Sequence, residues 1–222
     1  MNFVILYKAL KYISIFSVFV PFIMSVKRMK TLDIALRVLI FYLFISITSD
    51  ITSLILANQH KTNYLIRSIY TLLECTCLAF IYYHKFESYK IKNIIKGFYF
   101  CFVVLFIYFC FQIGGITQYD NGMSVFEAFF FLIIGQTFIY YLFKNMNLEK
   151  LKDDSFFWIN SAIIIYFSSN IVLFFFYSYI VKFEISKFYF LHSLHLLSNI
   201  TFNIMLTYGI CKVKATYPFL SF

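Results

Sequence analysis

Charge is scarce in this chain. Only 13% of its 222 residues are Asp, Glu, Lys or Arg, against roughly 25% in a soluble domain. Hydrophobic residues make up 62%, and the mean hydropathy is +0.80. The two deviations together exclude an ordinary soluble fold and point to an integral membrane protein. Glycine (6) and proline (2) are also few. No linker, low-complexity segment or internal repeat of recognisable register is visible, nor are the Gly- or Pro-broken helix pairs typical of small transporters. Cysteine is limited to Cys75, Cys77, Cys101, Cys110 and Cys211, all in apolar segments. The number is odd and no Cys-x-x-Cys pair occurs, so they read as small buried hydrophobes and not as disulfides or a zinc site. The net charge of +9 fits basic cytoplasmic loops better than nucleic acid, because no basic stretch interleaves with stacking aromatics outside the apolar runs. The many Phe (32) and Tyr (19) residues fit an AT-rich genome and carry no functional weight.

What is present is a series of long apolar runs. A membrane helix needs about 20 apolar residues. Seven runs qualify, at about 5–25, 34–57, 64–83, 97–114, 124–143, 156–180 and 188–211. The fold class is therefore all-α: one polytopic seven-helix membrane domain over 1–222. The first run lacks a small-x-small cleavage site and reads as an uncleaved helix bent at Pro21. Lys8, Lys11, Lys61, Arg67, Lys182 and Lys187 fall on the amino-terminal side of the bundle. The other side carries Lys27, Arg28, Lys30, Arg37, Lys85, Lys90, Lys92, Lys96, Lys144, Lys150, Lys152, Lys212 and Lys214, more than twice as many. The positive-inside bias places the N-terminus outside and the C-terminus in the cytoplasm, in the inner (cytoplasmic) membrane.

Polar residues inside these runs are expensive and so informative. Asn63, Arg67, Tyr70 and Glu74 follow one another at spacings of four, three and four, which puts them on one helix face. Ser46, Asp50 and Ser53 share a face of the second run. His192, His195, Asn199 and Asn203 form a stripe on the seventh. Glu127 lies on the fifth, and Trp158, Asn160, Tyr166, Ser168, Ser169 and Asn170 on the sixth. With this topology the groups gather between the outer interface and the midplane. They predict an outward-facing cavity lined by spans two, three, five, six and seven, with Asp50, Asn63, Arg67, Tyr70, Glu74, Glu127, Asn170, His192 and Asn199 as its ligand-binding residues. The competing reading is that polar groups pair across helices as glue. Asp50 and Glu127 would then be solvated at the interface, and Arg67 would neutralise Glu74, Asp50 or Glu127. Trp158 reads as an interfacial anchor.

Three chemistries bear on these residues. His192 and His195 at i and i+3 would ligate zinc if Asp50, Glu74, Glu127 or His60 supplied a third ligand, and zinc would activate water for hydrolysis. The arrangement resembles the seven-helix hydrolases of the alkaline ceramidase and adiponectin receptor type, but those place His-x-x-x-His on the last helix. A retinal Schiff base needs a lysine in the middle of the last span; Lys187 and Lys212 lie at its two ends, so retinal is not expected. Proton or ion transport would use chains of Asp, Glu and His.

Asn63 with Ile69-Tyr70-Thr71 and Glu74, Phe156-Phe157-Trp158-Ile159-Asn160, Tyr166-Phe167-Ser168-Ser169-Asn170 and Leu191-His192-Ser193 followed by Asn199 resemble a family of uncharacterised seven-helix membrane proteins of Bacteroidetes-type bacteria. The resemblance implies the fold and the polar stripes but no reaction. It also implies a polar residue other than histidine where His195 stands. The expected function is a sensor or signalling-type membrane module, not an enzyme and without a cofactor. Its cavity would take a small ligand or a partner's segment. Its basic loops at 85–96 and 144–152 would face a separate membrane or cytoplasmic signalling protein, or anionic lipid of the bilayer. A metal-dependent lipid hydrolase and a structural scaffold for a partner are the alternatives.

Overall fold

The structure is a computed structural model that describes residues 2–112, 121–145, 148–183 and 185–213, with side chains described over 6–111, 122–145, 150–176 and 189–213. Its elements are all helical: α1 (Asn2–Ser17), α2 (Phe19–Lys27), α3 (Ile34–Asn58), α4 (Tyr64–Lys85), α5 (Tyr89–Gln112), α6 (Asn121–Asn145), α7 (Leu148–Leu151), α8 (Ser155–Phe183) and α9 (Ile185–Lys212). Seven stretches are long and apolar enough to cross a membrane: Leu6–Lys27, Ile34–Asn58, Tyr64–Lys85, Tyr89–Phe111, Gly122–Asn145, Ser155–Phe176 and Tyr189–Lys212. We read the chain as a multi-pass membrane protein. Many large apolar side chains are exposed, among them Phe100, Phe111, Ile133 and Tyr140, as on a surface whose solvent is lipid.

The ends of the helices have identifiable causes. Asp33 caps α3, its Oδ1 accepting from the Leu36 amide at 2.8 Å, and Asp154 receives the Phe157 amide at 2.6 Å at the start of α8. Asp33 also holds Lys85 at 2.5 Å. Partial burial pushes the Asp33 carboxyl up, but the hydrogen bonds from Lys85 and Leu36 outweigh it and hold the group below its ordinary value. α3 ends in a Schellman turn. The His60 amide donates to Ala57 O (3.1 Å) and the Lys61 amide to Leu56 O (3.0 Å), with His60 at φ 54° in the left-handed position usually held by glycine.

Two boundaries differ from the sequence reading. The fourth span starts at Tyr89, not near residue 97, so Lys90, Lys92 and Lys96 lie on its first turns and not in a loop. Lys92 and Lys96 fold their ammonium groups over the Tyr83 ring, at 5.4 and 5.0 Å from its centroid. A charge served by an aromatic face, on a long snorkelling stem, does not stop a helix. The first span is interrupted at Val18. Pro21 has no N–H for the Ser17 carbonyl, and its ring crowds that carbonyl. Val18 itself remains helical, at φ −66° and ψ −22°, and its carbonyl accepts from the Phe22 amide at 3.2 Å.

A few contacts fix which helix ends share a side of the bundle. Tyr7 meets His192 at one end. At the other, Arg28 donates to Cys211 O (2.6 Å) and Val213 O (3.2 Å), closing the C-terminal carbonyls of α9. Lys85–Asp33 and Lys212–Asp153 (2.8 Å) lie at that same end. Between the ends, α8 and α9 pack most closely. A Cβ at Gly209 would lie 2.7 Å from Ile159 Cγ1 and 3.0 Å from the Ser155 carbonyl oxygen.

Candidate functional site

The end of the bundle that carries Tyr7 and His192 holds a cavity of about 270 Å³, far above the ~30 Å³ share of one water. It runs from Ala57 and Asn63, beside the turn joining α3 to α4, down to Glu74. The eleven-residue step from Asn63 to Glu74 on α4 corresponds to about 16 Å of depth. Asp50, Asn63, Arg67, Tyr70, Glu74, His192 and Asn199 line it, and so does His195. The four-and-three spacings of α3, α4 and α9 produce this, because each stripe turns toward the same axis.

The floor is Glu74, only 5% exposed. Tyr42 and Tyr70 both reach its Oε1, at 3.0 and 3.1 Å. A phenol has one proton, so with both protons given to the carboxylate the 3.3 Å approach of the two hydroxyls is a consequence of their shared acceptor. Tyr42 is a partner outside the stripes named from the sequence. It continues the Ser46–Asp50 stripe one turn further into the membrane, and spacing alone would have found it.

His195 is set by Asn170. The Tyr166 carbonyl can only accept, and Asn170 Nδ2 donates to it at 2.7 Å. The Asn170 Oδ1 therefore faces His195 Nδ1, 2.8 Å away, and that nitrogen must carry the proton. Nε2 is then the acceptor of the neutral ring. His192 meets the Tyr7 hydroxyl through Nδ1 at 3.2 Å. The two rings are 5.5 Å apart, centroid to centroid. Among the described residues no group of three His, Cys, Asp or Glu side chains is placed to hold a metal, and His60 is exposed on the turn after α3.

Two expected cavity residues stand behind the wall. Asn170 is fully buried and meets the cavity wall through His195 and the Tyr166 carbonyl. Glu127 is 2% exposed and not solvated at an interface. Its charge and that of Glu74 act on each other, while its Oε1 has no hydrogen-bond partner among the described residues. Ser124, one turn away on α6, takes the wall position instead.

The expectation that span one stays out of the cavity is also corrected. Tyr7, Lys11 and Ser14 line it, at spacings of four and three. Span one is moreover zipped to span seven: Asn199 donates to Ser14 Oγ (2.9 Å) and Asn203 to Ser17 Oγ (2.7 Å). Ser169 and Ser198 add a hydrogen bond between α8 and α9. Part of the α9 stripe is thus helix-to-helix glue, as the competing reading held. On the opposite side of the bundle Tyr82 donates to Asn160 Oδ1 (2.5 Å) and Asn160 to Gly135 O (3.1 Å), which joins α4, α8 and α6; none of these three residues lines the cavity.

The charged wall groups behave differently. Arg67 sits where its charge acts on Asp50, His192 and His195. Lys11 is close enough for its charge to act on His192. Neither Lys11 nor Asp50 makes a hydrogen bond or an ion pair among the described residues.

Fold and site together define a helical membrane bundle with a charged polar cavity at one end. No family model, curated protein or solved structure matches the chain.

Proposed function

We propose that the chain is a sensor or signalling-type module of the inner membrane, and that its cavity opens to the outside and binds a small polar ligand. The observation that carries the reading is the mixed-charge wall. Lys11, Asp50, Arg67 and Glu74 surround one cavity inside a bundle otherwise clad in apolar side chains. Charge held at such depth is costly, and glue is better made from the neutral pairs seen between α1 and α9. The orientation rests on the Lys and Arg excess at the end that carries Arg28, Lys85 and Lys212. A ligand that touched α1, α3, α4 and α9 at once would favour one packing of these helices over another. A shift of that kind passes to the opposite end, where Lys90, Lys144 and Lys150 are exposed to a partner or to anionic lipid.

The test is side-specific labelling. Ser53→Cys, on the cavity wall, and Lys90→Cys, at the opposite end, are made in a chain whose own cysteines are replaced by alanine. In intact cells stripped of their outer layers, a membrane-impermeant maleimide should modify Ser53→Cys and reach Lys90→Cys only after the membrane is opened. The reverse pattern would refute the proposed orientation. Labelling of neither cysteine from outside would refute an open cavity.

A further inference from the structure

The cavity also says what kind of molecule it takes, on the assumption that it is a ligand site as proposed above. Its wall carries two groups of opposite charge that the protein leaves without hydrogen bonds. Lys11 on α1 offers three N–H donors, and Asp50 on α3 offers only acceptors. Both line the same cavity. Neither is within ion-pair or hydrogen-bond distance of the other or of any described residue. A cation and an anion that share a cavity and do not collapse onto each other are held apart by the helices that carry them. α1 is fixed against α9 by the Ser14–Asn199 and Ser17–Asn203 hydrogen bonds, and α3 against α4 by Tyr42 on Glu74. Neither group has a hydrogen-bonded protein partner, and Asp50 has only the through-space attraction of Arg67; whatever water each gives up, a complementary charge on the ligand would offset.

We infer that the ligand is a small zwitterion bearing a primary ammonium and an anionic group, its ammonium donating to Asp50 and its anion accepting from Lys11. A simple anion would leave Asp50 unserved, and a simple amine would leave Lys11 unserved. The serine hydroxyls of the wall, Ser46, Ser49 and Ser53, can donate or accept and so suit either end of such a molecule. The same chemistry is offered by a free amino acid and by the ethanolamine phosphate headgroup of a membrane lipid.

The experiment measures thermal unfolding of the full chain in nanodiscs of phosphatidylglycerol. The probes are the free amino acids, O-phosphoethanolamine, acetate and ethylamine, and parallel discs contain phosphatidylethanolamine. At about 100 times its Kd, a probe that binds the folded chain should raise Tm by roughly 5–10 °C. The inference expects this from an amino acid, or from O-phosphoethanolamine together with the phosphatidylethanolamine discs. The first result identifies a free ligand and the second a lipid headgroup. The shift should vanish in Lys11→Gln and in Asp50→Asn and persist in Lys11→Arg. A shift with acetate or ethylamine as large as with any zwitterion would overturn the inference and leave the ligand cavity standing. A zwitterion shift unchanged in both neutral variants would overturn it too. If no probe shifts Tm the inference fails, and the Ser53→Cys labelling then decides separately whether the open cavity survives.

Discussion

Asn160→Leu should be among the most damaging single substitutions in the described bundle, costing about 2–4 kcal/mol. Asn160 is fully buried and joins three helices through one amide, with Tyr82 on one side and the Gly135 carbonyl on the other. Leucine fills nearly the same space and serves neither partner. A buried group deprived of its partner costs about 1–3 kcal/mol, and here there are two. Interhelical hydrogen bonds in membranes average only about 0.6 kcal/mol, because the separated helices also find partners for these groups. The larger cost here comes from the folded variant, in which the Tyr82 hydroxyl would be left orphaned while fully buried between Phe86, Phe131 and Phe156. Unfolding in a mild detergent measures the effect. Tyr82→Phe in the Asn160→Leu background should recover part of the loss by removing the orphaned hydroxyl. A double mutant as unstable as the sum of the two single mutants would show that the groups are not coupled.

Gly209→Leu is expected to prevent α8 and α9 from closing. The Cβ alone would meet Ile159 Cγ1 at 2.7 Å, the Ser155 carbonyl at 3.0 Å and the Ile159 amide nitrogen at 3.2 Å. The Ile159 side chain can turn aside, but the backbone of α8 cannot. Alanine should therefore cost about 1–3 kcal/mol as overpacking, and leucine more than the bundle tolerates. Gly97 supplies the control. Nothing lies within 4 Å of its added Cβ, so Gly97→Ala should be neutral or stabilise by up to about 1 kcal/mol, the helix-propensity difference. The readout is the yield of monodisperse protein and its Tm. Equal behaviour of the two alanine variants would show that the α8–α9 approach is not that close.

The bundle was legible because a membrane helix writes its length and its polar stripe directly into the sequence. Asn63, Arg67, Tyr70 and Glu74 share a wall because spacings of three and four must share a face. Span one was less legible. In sequence Lys11 stands out only as a topology charge, although Tyr7 and Ser14 flank it at spacings of four and three. Glu127 shows a different limit. Periodicity gives a residue's direction from its own axis but not which neighbour lies there, and one turn separates Ser124 on the wall from Glu127 behind it. The early start of α5 is hidden in the sequence because lysines normally end an apolar run, while Tyr83, on another helix, supplies the partner of Lys92 and Lys96. Which polar groups are glue was likewise a tertiary fact. Asn199 and Asn203 belong to one stripe, yet only Asn199 reaches the cavity.

The central claim is that the charged wall serves a ligand and not the fold. Its most direct test compares the ligand-free stability of Lys11→Met and Asp50→Asn with that of Asn160→Leu, in the same detergent. Lys11 and Asp50 have no hydrogen bond to lose, and Asp50 gives up its attraction to Arg67 together with its repulsion of Glu74. The account predicts that each variant changes stability by no more than about 1 kcal/mol, with Lys11→Met unchanged or stabilised, while Asn160→Leu loses several times as much. Losses in Lys11→Met and Asp50→Asn as large as that of Asn160→Leu would contradict it, because the wall charges would then be part of what holds the helices together.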